Sequence, residues 1–444
     1  MAPFSEKLVN LYQTSSPSRR QEFQNSIKRH VYACFVFVHT LNEDSKTKIV
    51  TENHSVDRIL QFILDLIPEL LKIEGGSSRN QTQDENMETS QVCEVDSIIT
   101  TLLEGLKPAI GAKSIAIRIM ACSFVGRILG QMNDDIEVLE YLIEEITIKL
   151  VDRAKDSNSE VRLSAFGSLV RLQNYRDADD EVVKVYAEHM VSDDSEAVRQ
   201  KCTELIGLNK RTLLLLIDRC RDSSPAVRRA AYKRIAAKVK LNVLKHDQIC
   251  NLIERGLGDS DEGVQDIVGK SLLAAWLTHV KPRKPGDQGT IIDFLRILDP
   301  IDSKATVRKA LDCFLHQWAN PEDLIKAAVQ WPSFLDPQNL VPMLDDPEYC
   351  MWVAFVWFNI YNYVREKNPE LLTDALPTFI DYVDMIKNLA THLEKEWIKI
   401  LILHSDIFNN LTHIFILKRL LKDWVNFKTV ECMDQMKTKR FYQT

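Results

Sequence analysis

Apolar residues return at intervals of three and four along much of the chain, with polar and charged residues between them. This spacing predicts amphipathic helices. One predicted helix carries Val161, Ala165, Leu169 and Leu172 on a single face. No stretch alternates apolar and polar residues as a strand does, and Gly (14) and Pro (15) are sparse among the 444 residues. The pattern therefore predicts an all-α protein.

A short motif, an Asp/Ser-rich turn followed by Val and then Arg or Gln, returns four times between residues 152 and 274. Its Val positions lie 37, 29 and 37 residues apart and are Val161, Val198, Val227 and Val264. Side-chain oxygens in such a turn accept backbone N–H groups at the start of the next helix. In the third copy, Ser224 is the expected cap and Pro225 the first helical residue, where its missing N–H costs nothing.

A repeat of this length with two helices per unit is typical of a HEAT-type solenoid. Neither helix of a unit buries its apolar face alone, so neighbouring units must stack. The expected fold is an all-α HEAT-repeat α-solenoid, a curved superhelix of antiparallel helix pairs.

Changes in composition divide the chain into five predicted segments. The Gln/Asn/Asp/Glu-rich stretch is polar enough to stay unfolded, and the repeat motif fades where large aromatic residues become frequent. The segments are N-terminal helical repeats at 1–73, a disordered acidic loop at 74–96, the HEAT-repeat solenoid at 97–320, aromatic-rich helical repeats at 321–427 and a polar tail at 428–444.

Several classes of protein are disfavoured by the sequence. The nine cysteines form no Cys-x-x-Cys pair, which favours reduced thiols in the cytosol or nucleus. The N-terminus lacks a secretory signal, and no apolar run reaches membrane length. No phosphate-binding Gly-rich loop, His-Glu-x-x-His or Gly-x-Ser-x-Gly motif occurs. We therefore assign no catalytic residue, metal or cofactor and expect no enzyme.

Residues 199–245, here called the basic stretch, carry 13 Lys and Arg against three acids, although the whole chain has a net charge of −7. Some of these cations have a structural interpretation. The Arg after the repeated Val recurs at one place in the unit and is expected to pair with a turn Asp of an adjacent unit. This expected ladder consists of Arg162, Arg199, Arg228 and Arg308.

The remaining cations are candidates for a ligand. Arg229, Lys233 and Arg234 lie on the predicted helix that starts at Pro225. Val227, Ala231 and Ile235 form the apolar face of this helix, so we expect the three cations to project to solvent. If the second helix of each successive unit carried such a row of cations, the rows together would line a concave face of the solenoid. Cations without interleaved aromatics favour binding to phosphates over base reading. The alternatives are a solvated basic face or a site for an acidic protein segment. The candidates are Lys210, Arg211, Arg229, Lys233, Arg234, Lys238 and Lys240.

The same residues resemble the condensin G subunit family, the HEAT-repeat subunit of the condensin complex. The clearest likeness is the run Arg219-Cys-Arg-Asp-Ser-Ser-Pro-Ala-Val-Arg-Arg. Family members continue with further HEAT repeats, so the likeness is to their N-terminal part. The matching runs are 161–173, 198–202, 210–214, 219–239, 256–261, 271–277 and 295–300, with 56–62 and 377–383 towards the two ends.

The resemblance implies a non-catalytic subunit that binds a kleisin subunit and, with it, duplex DNA without sequence preference during mitotic chromosome condensation. The ATPase would belong to separate SMC subunits. It also implies a location in the nucleus and on chromosomes, with the cytoplasm in interphase as a further expectation. Lys46 and Lys48, before the second N-terminal helix, are candidates for a second basic patch. The alternative function is a protein-only HEAT scaffold, like those in transport or phosphatase regulation.

Overall fold

The computed structural model describes most of the first 280 residues and short pieces beyond them. The described residues are 2–43, 54–79, 97–132, 140–177, 179–280, 294–295, 297–298, 303–318, 363 and 366–367. All regular structure in these residues is helical, which confirms the all-α prediction for this part of the chain. The chain divides into two compact units, Met1–Arg234 and Ile235–Thr444.

The helices of the first unit follow one another with short connections. They are α1 (Ala2–Thr14), α2 (Pro17–Glu43), α3 (His54–Arg79), α4 (Ile98–Ile110), α5 (Ile115–Gln131), α6 (Glu140–Ala154), α7 (Ser159–Leu169), α8 (Glu181–Ser192), α9 (Glu196–Leu205), α10 (Lys210–Arg219) and α11 (Pro225–Lys238). A 3₁₀ turn, Val170–Leu172, extends α7. The boundary between the units falls within α11.

The helices of the first unit pack in two rows. Helices α2, α5, α7 and α9 contact one another in that order, and α3, α4, α6, α8 and α10 form the other row. Each of α5, α7 and α9 also packs against the helix just before it in the chain, as a repeat unit requires. The predicted units are therefore present as stacked helix pairs.

Apolar side chains fill the space between the rows. Phe166 of α7 and Tyr186 of α8 are fully buried, with ring centroids 4.9 Å apart. The Tyr186 hydroxyl donates to the Phe166 backbone carbonyl, which satisfies a polar group that burial would otherwise destabilise. Val161, Ala165 and Leu169 are buried as predicted. This core runs without interruption from α1 to Ile206.

The turn motif starts the helices largely as expected. The Asn158 side chain accepts the amides of Glu160 and Val161 at the start of α7. Pro225 is the first residue of α11, but the Ser224 hydroxyl does not accept the expected backbone N–H at the start of the helix. The buried Ser224 hydroxyl has no hydrogen-bond partner among the described residues, and it is the Ser224 amide that donates, to Asp222 at 2.9 Å.

The second unit contains α12 (His246–Leu257), α13 (Glu262–Asp266), α14 (Leu273–Leu277) and α15 (Lys304–Trp318) among its described residues. A π-helical segment, Ile267–Leu272, joins α13 to α14. Trp276 is fully buried, and its indole N–H donates to the Val239 carbonyl at 3.3 Å. The weakened fourth copy of the motif therefore still forms a packed helix pair.

Several predicted segments lie wholly or partly outside the described residues. These are most of the acidic loop, nearly all of 321–427 and the tail 428–444. Helix α3 continues to Arg79, past the predicted start of the acidic loop at residue 74. Of the described cysteines, Cys34, Cys122, Cys202, Cys220 and Cys250 are buried free thiols and Cys313 is half-buried. Within the described chain, no helix is both long and apolar enough to span a membrane.

Candidate nucleic-acid interface

Three aspartates at the repeated turns, Asp156, Asp193 and Asp222, are buried and organise the polar side of each unit. We call them the turn aspartates. Each accepts the amide two residues further on, for example the Ser195 amide on Asp193 at 2.8 Å. A buried carboxylate is stable only when its oxygens are hydrogen-bonded or paired with a charge. The surrounding cations supply that pairing.

An arginine on the preceding repeat reaches each turn aspartate. Arg162 donates to Asp193 from Nε at 2.9 Å and from Nη2 at 2.7 Å, and Arg199 binds Asp222 in the same two-point manner. The remaining nitrogen of Arg199, Nη1, donates backwards to the Asp193 carbonyl at 2.9 Å. Each guanidinium therefore ties the turn of its own unit to the turn of the next.

Arg118 is a member of this ladder that the sequence analysis did not include. Its Nη2 donates to Asp156 at 3.1 Å, and its Nη1 donates to the carbonyls of Ala112 and Lys113 in its own turn. The signal was present in the sequence as the Ile117-Arg118 pair, but the Asp-rich turn before it is missing. The backbone carbonyls of Ala112 and Lys113 hold Arg118, so an aspartate in its own turn is not needed at the start of the ladder.

A basic residue from the helix before the turn adds a second hydrogen bond. Arg153 donates to Asp156 at 3.0 Å and Arg219 donates to Asp222 at 3.2 Å. In the middle unit, His189 Nδ1 lies 2.7 Å from Asp193 Oδ2. Sequence analysis missed these residues because a basic side chain in the last turn of a helix is common for another reason, its interaction with the helix dipole.

The pairing decides the ionisation of the turn aspartates. Burial works to raise the pKa of Asp193, yet hydrogen bonds from Arg162 and His189 outweigh it, and the pKa lies below its ordinary value. The pKa of Asp222 is lowered in the same way, with burial opposed by hydrogen bonds from Arg199 and the Ser224 amide. These carboxylates therefore carry full negative charge at neutral pH and hold the arginines.

Arg228 and Arg308 are the other two predicted ladder residues. Arg228 Nη1 donates to the carbonyls of Asp222 and Ser223 in its own turn, at 2.9 and 3.2 Å. Arg308 is exposed at the start of α15. In the fourth copy, Gln265 replaces the arginine and makes the backward bond, to the Asp259 carbonyl at 2.6 Å.

The ladder removes part of the basic stretch from solvent, and other cations of the stretch are exposed. Lys233 is exposed on α11, and Lys210 and Arg211 are exposed at the start of α10. The charge of Arg211 also acts on the exposed Asp179, which pairs with Lys184 at 2.9 Å. Lys210, Arg211 and Lys233 are therefore the exposed candidates in the first unit that lie outside the ladder, and Arg211 is the one that also acts on a carboxylate.

The expectation that Arg234 projects to solvent is wrong. Its Nη2 donates to the Ile206 carbonyl beyond the end of α9, and its Nε is buried without a hydrogen-bond partner among the described residues. Burial lowers the pKa of the guanidinium. The Arg234 side chain therefore binds the carbonyl end of α9 in the neighbouring repeat. Arg229 is only half-buried and has other interactions.

Positive rows on successive second helices are also not found in the described first unit. When α9 and α11 are aligned on their Val-Arg pairs, Gln200 and Glu204 stand where α11 has Arg229 and Lys233. Gln200 donates to Glu204 at 2.8 Å, which satisfies that position with a polar pair. The exposed candidate cations of the described first unit therefore lie on α11 and at the start of α10.

The remaining candidates lie elsewhere. Lys238, at the end of α11, and Lys240 are exposed and belong to the second unit. Lys46 and Lys48 lie outside the described residues. Three or more His, Cys, Asp or Glu side chains do not converge as a metal site anywhere in the described chain.

Comparisons with known proteins agree with this architecture. The chain is 25% identical over 317 residues to condensin complex subunit 3 of Xenopus laevis, a match that covers 71% of this chain and 28% of the relative. It is 25% identical over 336 residues to condensin complex subunit 3 of Homo sapiens, covering 75% and 30%. The chain thus spans less than a third of the length of these curated relatives. No family model matches the chain.

A solved structure shares the fold. The crystal structure of the S. pombe condensin Cnd3–Cnd2 subcomplex matches with a TM-score of 0.67 and 19% identity, covering 94% of this chain and 51% of the solved one. The prediction of an all-α HEAT-repeat solenoid is confirmed by this likeness and by the stacked helix pairs. The predicted resemblance to the condensin subunit is confirmed as well, because the chain is similar to condensin complex subunit 3 over 71–75% of its length.

Proposed function

We propose that this chain acts as a non-catalytic HEAT-repeat subunit of a condensin complex that binds a kleisin subunit and the phosphates of duplex DNA. The main support for DNA binding is that the cations of the basic stretch fall into two sets, one paired with aspartates and one exposed. Arg199 and Arg219 are held by the turn aspartate Asp222, whereas Lys210 and Lys233 are exposed and lie outside those pairs.

Exposed lysines suit a ligand of repeated negative charge. An ammonium group binds a phosphate as a point charge and does not need the fixed geometry of a base edge. Binding of this kind depends on the release of counterions from DNA, so it is independent of sequence and sensitive to salt. Lys238 and Lys240 add exposed positive charge in the second unit.

The DNA part is tested with charge reversal. Lys210→Glu with Lys233→Glu is the test variant, and Lys7→Glu with Lys113→Glu is a control with the same change in net charge at exposed positions distant in sequence. We expect the affinity for a 40-base-pair duplex at low salt to fall by about tenfold or more in the test variant and by less than about twofold in the control. Equal losses in the two variants would refute a local DNA site. Arg234 is left unchanged because its loss would also remove the cap on the Ile206 carbonyl.

The kleisin partner rests on the relatives. They are named condensin complex subunit 3, and the solved neighbour is a two-subunit complex of Cnd3 with Cnd2. We expect the chain to co-purify with the kleisin of its own condensin complex, which would link it to the SMC ATPases and place it on chromosomes in the nucleus. A chain that binds DNA but no kleisin would contradict the condensin assignment. A chain that binds the kleisin but no DNA would favour the protein-only scaffold.

A further inference from the structure

The connection between α7 and α8 lies against the segment that leads into α10. We call it the α7–α8 turn, and its described residues are 173–177, 179 and 180. The Gln173 side chain accepts the Gly207 amide at 2.6 Å and donates to the Leu205 carbonyl at 3.0 Å. These two bonds attach the α7–α8 turn to the residues that join α9 to α10.

A further contact attaches the α7–α8 turn to the start of α10 itself. Asn209 caps α10 by accepting the Arg211 amide at 2.9 Å, and its side-chain N–H donates to the Tyr175 carbonyl at 3.2 Å. A Cβ on Gly207 would lie 2.6 Å from the Tyr175 Cβ, so a side chain at this position would clash with the α7–α8 turn. Asn209 therefore fixes both the first turn of α10 and the α7–α8 turn beside it.

The α7–α8 turn carries more negative than positive charge. It contains Asp177, Asp179 and Asp180 against the single cation Arg176. Asp180 caps α8 by accepting the Val183 amide at 2.7 Å. Asp177 and Asp179 are exposed, and the Asp177 side chain accepts the Asp179 amide at 2.9 Å. The turn thus presents two carboxylates to solvent close to the start of α10.

Asp179 interacts with cations on two helices. It is paired with Lys184 of α8 at 2.9 Å, and its side chain is 89% exposed. The hydrogen bond from Lys184 and, to a smaller extent, the charge of Arg211 on α10 lower the pKa of the Asp179 carboxyl. Attraction between two charges is mutual, so Arg211 lies in the negative field of Asp179.

We propose that the α7–α8 turn competes with DNA phosphates for the cations at the start of α10 and thereby weakens the binding of DNA there. The inference rests on the proposed function and specifies how the site formed by Lys210 and Arg211 is regulated. A phosphate that approaches these cations is repelled by Asp177 and Asp179, because like charges brought together at an interface oppose binding. The DNA affinity of this site therefore depends on residues that do not themselves bind DNA.

Lys184 limits this competition but does not abolish it. The side chain of Lys184 is 42% exposed and that of Asp179 is more exposed still. An ion pair in solvent of this kind is weak and screened by salt, so Asp179 keeps part of its effect on Arg211. Asp177 adds a second carboxylate on the same turn.

The first test removes the two charges and keeps the shape of the turn. In Asp177→Asn with Asp179→Asn, the side-chain oxygen at position 177 can still accept the backbone amide at position 179. Asp57→Asn with Asp152→Asn is the control, with the same change in net charge at exposed positions on α3 and α6. We expect the affinity of the full chain for duplex DNA at low salt to rise by about threefold or more in the test variant and by less than about 1.5-fold in the control. No gain in the test variant, or equal gains in the two, would overturn the proposal.

A double-mutant comparison locates the effect. The pair Asp177→Asn with Asp179→Asn is combined with Lys210→Gln and Arg211→Gln, which removes the cations for which the turn competes. The gain in affinity should then be clearly smaller than in the wild-type background, because interacting residues are not additive. The same gain in both backgrounds would overturn the link between the α7–α8 turn and α10.

A measurement without DNA separates this proposal from the proposed function. The pKa of the Asp179 carboxyl, followed by NMR, should rise in Arg211→Gln and rise further in Lys184→Gln, whose hydrogen bond has the larger effect. An unchanged pKa in Arg211→Gln would overturn the competition for Arg211, whatever the chain does with DNA. A wild-type chain that shows the pKa change but binds no duplex would overturn the proposed function, and the regulation of DNA binding with it.

Discussion

Arg199 and Asp222 are joined by two parallel hydrogen bonds, from Nε to Oδ2 at 3.0 Å and from Nη2 to Oδ1 at 2.9 Å. The side chains are 13% and 3% exposed, so the ion pair is largely shielded from solvent. The same relationship joins Arg162 to Asp193 one unit earlier. These pairs connect consecutive repeats and, for that reason, their charges are not available to a ligand.

Removing one partner of this pair should destabilise the first unit. Arg199→Ala leaves the buried Asp222 carboxylate without its main partner, and we expect a decrease of about 3–5 kcal/mol in the free energy of unfolding, measured by urea denaturation. Arg221 is exposed close by in the sequence and serves as the control, with an expected change for Arg221→Ala within about 0.5 kcal/mol. Similar decreases in the two variants would show that the ladder does not hold the repeats together.

The pairing should also appear as a dependence of stability on pH. Burial is outweighed by hydrogen bonding, and the pKa of each turn aspartate in the folded chain lies below its ordinary value. The unfolded aspartate titrates near pH 3.9, so the stabilisation is complete above about pH 5 and disappears as the pH falls through the folded pKa. Denaturation between pH 6 and pH 2 should show this decline in the wild type, and Asp222→Asn should decline less over the same interval. Parallel curves for the two proteins would contradict the prediction.

Two glycines on α5 test how closely the second helices stack. A Cβ on Gly126 would lie 2.6 Å from Ser168 Oγ and 2.8 Å from Ser168 Cα on α7. Ser168 is buried and cannot turn away without breaking its bond to the Cys122 carbonyl. Gly126→Ala should therefore cost about 1–3 kcal/mol through overpacking.

Gly130, one turn further along α5, is the matched control. A Cβ there meets no described atom within 4 Å. Gly130→Ala should stabilise the chain by up to about 1 kcal/mol, because alanine has the higher helix propensity. If thermal denaturation shows the same sign for both substitutions, the close packing of α5 on α7 is not present in solution.

The helix pairs and the ladder could be predicted from the sequence because they repeat. Val161, Ala165 and Leu169 are buried at the spacing that predicted their helix, and the Arg after Val198 meets an aspartate in the next turn. Each of these features depends on residues close in sequence or on one recurring interval. Repetition therefore supplies the information that a single helix lacks.

The candidate site could be predicted only in part. Lys233 and Arg234 are adjacent and equally charged in the sequence, yet one is exposed and the other caps the Ile206 carbonyl. That difference depends on how closely α9 and α11 pack, which the spacing of residues within one helix does not determine. The exposed charge on α11 is not repeated on α9, because Glu204 takes the place that corresponds to Lys233. Sequence spacing predicted a continuous positive row, and the individual side chains interrupt it.

The salt dependence of DNA binding tests the central claim most directly, namely that cations outside the ladder bind phosphates. The slope of log affinity against log salt should become shallower by about 0.9 for each phosphate that the protein no longer neutralises, so Lys210→Ala with Lys233→Ala should reduce it by about 1.8. Lys7→Ala with Lys113→Ala should leave the slope unchanged. A wild-type slope retained in the Lys210 and Lys233 variant, with the chain still folded, would contradict the account.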